Sequence, residues 1–166
     1  MVSSMRNSRN GILPAPSFAP SRPLPAIFVG GLIVGVLDLT YAIVVYSPKR
    51  PIVIGQTIAS GILGANSYSG GVRTATLGVV LHFVIALSAA TVYYLASRKL
   101  TFLITRAIIA GLIYGALVYL FMHMVVLPLS AVPKGGMPLI YQISEFVEHW
   151  FFVGLPIALS VRHYSR

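Results

Sequence analysis

All three acidic residues of this 166-residue chain, Asp38, Glu145 and Glu148, fall inside long apolar runs, as do three of its four histidines, His82, His123 and His149. An ionised side chain at the centre of a membrane helix costs about 2.5–3.5 kcal/mol on insertion scales, so such residues face the protein interior and have partners. Glu145 precedes Glu148 by three residues and His149 by four, which puts all three on one helical face. Asp38 follows Gly35 by three, His82 lies between Gly78 and Ala86, and His123 follows Tyr119 by four. These neighbours mark faces that pack against other helices. The expectation is a shared polar pocket built from all six groups.

Several chemistries suit carboxylates and imidazoles together. Both groups can relay protons in a transporter or channel. His82, His123, Glu145 and His149 could also hold a divalent metal such as zinc, iron or manganese. A third reading is a b-type haem between His82 and His149, which fall at similar depths on helices expected to run in the same direction. The structural alternative is an accessory membrane subunit in which acids and imidazoles exchange protons and only lock helix packing. Glu145-Phe-Val-Glu148-His149 departs from the H-E-x-x-H cassette and matches the Glu-x-x-His of di-iron bundles only loosely. No G-x-S-x-G, P-loop or G-x-G-x-x-G after a strand is present, so no catalytic residue is expected. With no cysteine, disulfides and thiolate metal sites are excluded.

The composition says what must position these groups. Apolar residues make up 57% of the chain and charged residues 9%, whereas a water-facing domain carries about 25% charged residues. The net charge of +9 comes from bases scattered between apolar runs. That pattern belongs to loops beside anionic lipid and gives no nucleic-acid stripe. The expected partner is the bilayer, with a homo-oligomer or larger membrane complex as a further possibility.

A bilayer core takes about 20 apolar residues, and four runs qualify: 26–46, 74–95, 102–127 and 139–161. The stretch 52–65 is apolar but short, with Ile54, Ile58 and Ile62 at helical spacing. It reads as an interfacial or re-entrant helix between spans 1 and 2. Residues 1–25 hold five prolines from Pro14 to Pro25 and read as a disordered cytoplasmic tail ahead of a membrane domain over 26–166. The expected fold is all-α, an integral membrane four-helix bundle.

With both termini inside, Arg6, Arg9, Arg22, Arg98, Lys99, Arg106, Arg162 and Arg166 lie on the cytoplasmic side. Lys49, Arg50, Arg73 and Lys134 lie outside. This excess of inner bases favours four spans over five. At about 1.5 Å per residue the six polar groups then fall roughly 6–15 Å below the outer boundary. Gly31-Leu-Ile-Val-Gly35 and Gly111-Leu-Ile-Tyr-Gly115 give two G-x-x-x-G faces, expected to bring helices of the chain together. Tyr41, one turn from Asp38, is expected to donate to it.

Four stretches stand out together: Gly64-Ala-Asn-Ser-Tyr-Ser-Gly70, Leu81-His-Phe83, Val125-Val-Leu-Pro-Leu-Ser130 and Val153-Gly-Leu-Pro-Ile-Ala-Leu159. From about residue 26 onward the chain resembles a group of small, uncharacterised bacterial inner-membrane proteins with four predicted spans. The resemblance implies an inner-membrane location and a four-span architecture, and it carries no activity or site residue with it.

Overall fold

The computed structural model describes residues 22–165. The proline-rich tail expected over 1–25 lies outside them except for its last residues. Those residues differ from the expectation, since Pro23 and Pro25 form the first turn of α1 (Pro23–Tyr46). An opening turn has no use for the missing proline N–H, and the fixed φ of proline suits it.

The chain continues through α2 (Ile52–Leu63), a 3-10 turn (Gly64–Ser69), α3 (Gly71–Ser97) and α4 (Ala107–Leu129). It ends in α5, helical over 139–164. Every described element is helical, and no strand occurs among the described residues. Gly64 and Gly71 have φ near +60°, the left-handed conformation that lets the chain leave α2 and turn directly into α3.

α1, α3 and α4 are each long and apolar enough to cross a membrane. This marks a membrane protein. The third span starts later than expected, at Ala107, because Arg106 leaves helical geometry (φ −114°, ψ 41°) and isolates a single turn, Phe102–Thr105. α5 is not among the three, because Gln142, Glu145, Glu148 and His149 dilute its apolar content.

α1 packs between α3 and the second half of α5, α4 packs along α5, and α2 lies on the first turns of α3. The buried side chains are largely small, among them Ala26, Ala86, Ala90, Ala107, Ala110 and Ala158. Large apolar groups such as Val36, Val80, Leu117 and Phe151 are half exposed. A water-soluble protein would have this arrangement reversed, but helices in lipid gain most from close backbone approach. Both G-x-x-x-G faces meet helices of the same chain. Gly31 and Gly35 meet Leu87 and Phe83 of α3, while Gly111 and Gly115 meet Ala158, Gly154 and His149 of α5.

Side chains bonded to backbone carbonyls tie the helices together. Ser160 Oγ donates to Ala26 O at 2.9 Å, Tyr114 Oη to Ala89 O at 2.7 Å, and Tyr93 Oη to Leu103 O at 2.9 Å.

α4 and α5 share an irregularity. Each widens into a π-helical turn, Met122–Val126 in α4 and His149–Gly154 in α5. A Leu-Pro pair follows each turn directly, Leu127-Pro128 and Leu155-Pro156. Proline offers no N–H and its ring crowds the carbonyl four residues earlier. Widening the preceding turn relieves the clash and returns partners to the displaced backbone groups, which a membrane helix cannot leave unpaired.

Candidate functional site: an acid–imidazole cluster between α4 and α5

The π turn of α5 packs against the stretch of α4 from Gly111 to Gly115, ahead of that helix's own π turn, and the α4–α5 contact brings histidine and glutamate together. A Cβ on Gly115 would overlap the carbonyl of His149, so the backbones touch at this point. His123, inside the first π turn, sets Nδ1 3.1 Å from Tyr119 O of its own helix. Its Nε2 lies 3.6 Å from Glu145 Oε2 of α5. His149, at the start of the second π turn, repeats the device, with Nδ1 2.9 Å from Glu145 O. The same nitrogen stands 2.9 Å from Glu148 Oε2. Both neighbours of that nitrogen are acceptors, so it carries the proton. The N–H is aligned with the carbonyl, which leaves the carboxylate in close electrostatic contact without a hydrogen bond.

Tyr119 sits between the two imidazoles. Its ring stacks on His123 with centroids 4.0 Å apart and meets His149 edge-on at 5.5 Å. Phe146 closes the remaining side at 5.1 Å and in turn contacts Trp150. The outer pair is about one quarter exposed and the inner pair is sealed, with the side chains of His149 and Glu148 at 8% and 1%.

α1 supplies the third wall. Asp38 is partly buried and acts electrostatically on Glu145, Glu148 and His149, but it forms no ion pair among the described residues. Tyr41 does not donate to Asp38 as expected. Its hydroxyl hydrogen-bonds Ser144 Oγ of α5 and joins the two helices beside the cluster.

His82 stands apart. Its ring bonds the carbonyl of Gly35 through Nε2 at 3.0 Å, tying α3 to α1. Four of the six expected groups, His123, Glu145, Glu148 and His149, are therefore joined in contact, Asp38 faces them, and His82 is engaged elsewhere. The expected metal set, His82, His123, Glu145 and His149, does not close. Among the described residues no three His, Asp or Glu side chains gather as metal ligands. The haem reading requires the Nε2 that His82 gives to Gly35, and His149 is enclosed by Tyr119 and Glu148.

Sequence reasoning did not select Ser144, although it precedes Glu148 by four residues and so shares its face. The π turns were signalled only by the Leu-Pro pairs.

Comparisons with protein-family models, curated proteins and solved structures found no match to the chain.

Proposed function

We propose that the chain crosses a bacterial inner membrane four times and handles protons at the cluster between α1, α4 and α5. In this reading α5 is the fourth span, α2 lies in or on the outer leaflet, and both ends face the cytoplasm. The packing of α5 against both α1 and α4 supports a fourth span, and the distribution of bases supports the orientation. The carrying observation for proton handling is the arrangement around Tyr119. Two carboxyl groups of α5 each lie beside an imidazole, and the imidazoles flank one tyrosine ring. Groups of this kind exchange protons without large rearrangement.

The test is proton flux into liposomes under an imposed membrane potential. The wild-type protein should acidify the lumen faster than protein-free vesicles, and Glu148→Gln should bring the rate down to theirs. Wild-type vesicles at background would refute the reading.

A structural role is the second reading, favoured by the bonds that spend both imidazole Nδ1 atoms on carbonyls of their own helices. It anticipates no flux and a marked loss of thermal stability in the same variant.

A further inference from the structure

A groove of about 350 Å³ runs between α1 and the last turns of α5, at the opposite end of both helices from the acids. Val29 and Ile33 form one wall, Leu155 and Leu159 the other, and His163 and Tyr164 border one end. Ile33 and Leu159 are each 43% exposed, so the groove opens sideways on the apolar flank. Ser160 also lines it, but its hydroxyl proton is spent on Ala26 O, so the interior offers an apolar chain no competing donor.

The mouth of the groove is basic. Arg22 precedes Val29 by seven residues, two turns along α1, and its backbone N–H donates to Tyr164 O at 3.1 Å. Arg162 and His163 end α5 beside it. Arg22 and His163 are exposed and Arg162 is half-buried. Neither arginine forms an ion pair among the described residues. The nearest acids along the two helices, Asp38 and Glu148, lie 16 residues from Arg22 and 14 from Arg162. At helical rise that is roughly 20 Å or more. Two guanidinium groups, charged at any working pH, therefore stand at the end of an apolar cleft with no carboxylate to neutralise them.

We propose that this groove binds one anionic phospholipid, with the phosphate on Arg22 and Arg162 and one acyl chain against Val29, Ile33, Leu155 and Leu159. Guanidinium groups hold phosphate oxygens in paired hydrogen bonds, and basic pockets between membrane helices select lipid headgroups of this charge. A zwitterionic lipid brings its own cation to the mouth, which the arginines repel. His163 borders the headgroup and has a ring N–H to donate whether or not it is protonated. The inference rests on the four-span reading, because α5 must lie in the bilayer, and on that reading the lipid comes from the cytoplasmic leaflet. Proton handling at the cluster plays no part in it.

Native mass spectrometry of the detergent-solubilised protein, titrated with dioleoyl phosphatidylglycerol or the matching phosphatidylcholine, tests the assignment. The expected result is one saturable phosphatidylglycerol site, at least roughly tenfold tighter than phosphatidylcholine. Arg22→Gln and Arg162→Gln should each weaken phosphatidylglycerol binding roughly fivefold, the effect of one base near a lipid headgroup, and leave phosphatidylcholine unchanged. Arg73→Gln removes an equal charge at the far end of the bundle, since α1 and α3 run antiparallel, and should change neither lipid. Leu159→Trp fills the groove and should abolish the phosphatidylglycerol preference in a protein that remains helical and monodisperse. Glycerol 3-phosphate, the headgroup anion without its chains, should not displace the lipid. Equal affinity for the two lipids, equal losses in Arg73→Gln and Arg22→Gln, or displacement by glycerol 3-phosphate would overturn the proposal. Quenching of Trp150 by bromine-substituted phosphatidylcholine in vesicles reports separately whether α5 lies in the bilayer, so failure of the four-span reading and failure of the groove give different results.

Discussion

Gly115→Ala probes the contact that holds the site together. The added Cβ would overlap the His149 carbonyl oxygen, and it would stand 2.7 Å from the carbonyl carbon and 2.8 Å from Trp150 Cα. All three are backbone atoms of α5, so no side chain can turn aside to make room. Ordinary contact begins near 3.4 Å, and the two helices must part by roughly 1 Å to reach it in so closely packed an interior. Overpacking of this kind costs about 1–3 kcal/mol. The same displacement pulls His123 away from Glu145 and opens the ring contacts of Tyr119. Reversible unfolding in a mixed-micelle SDS titration gives the free energy. Trp150, the one tryptophan of the chain, reports the local change through its emission. Gly136→Ala is the control, because nothing lies within 4 Å of a Cβ there. If Gly115→Ala unfolds within about 0.5 kcal/mol of the wild type, the range expected of a neutral surface change, the close contact between α4 and α5 does not exist as described.

His82→Ala should retain wild-type proton flux, because the ring serves α1 and α3 and is outside the cluster. Its cost should be about 0.6–1.7 kcal/mol, the range of interhelical polar contacts in membrane proteins; flux lost in this variant would put His82 back in the pathway. Tyr41→Phe should cost a similar amount through loss of the Ser144 bond, read in the same SDS titration. Glu145→Gln should lower flux and release His123, whose imidazole proton signals should shift in NMR spectra while those of His82 stay in place. The absence of cysteine makes topology directly readable. Lys134→Cys should react with a membrane-impermeant maleimide on intact cells, and Arg98→Cys only after permeabilisation; the reverse pattern would invert the orientation.

The helices were largely legible in the sequence because lipid asks for one simple property, a long apolar run bounded by bases, prolines or glycines. α1 and α3 follow that pattern to within a few residues. The break at Arg106 was not legible, since 102–127 reads as one unbroken run and a single residue leaving helical geometry changes no periodicity. The cluster was partly legible. Spacing alone put Glu145, Glu148 and His149 on one face, and the packing of α5 against α4 brings His123 to them. His82 looked equivalent because its small-residue face was read correctly, but such a face fixes only which helix it meets. Here the nearest acceptor on that helix is a backbone carbonyl. Tyr41 misled for a related reason. Proximity along one helix suggested Asp38, while the hydroxyl reaches across to Ser144, a residue no spacing rule connects to it.

The polarity of α5 bears on how the protein is made. On the proposed four-span arrangement this helix follows the other three in the sequence and carries both glutamates, a glutamine and two histidines. A translocon tests each segment against lipid as it emerges, and this one partitions poorly by itself. α1 and α4 offer it what the bilayer does not: the Ala26 carbonyl for Ser160, the Tyr41 hydroxyl for Ser144, and the His123 ring for Glu145. Biogenesis therefore acquires an order, in which the earlier helices must already be inserted and adjacent before the final segment can leave the channel.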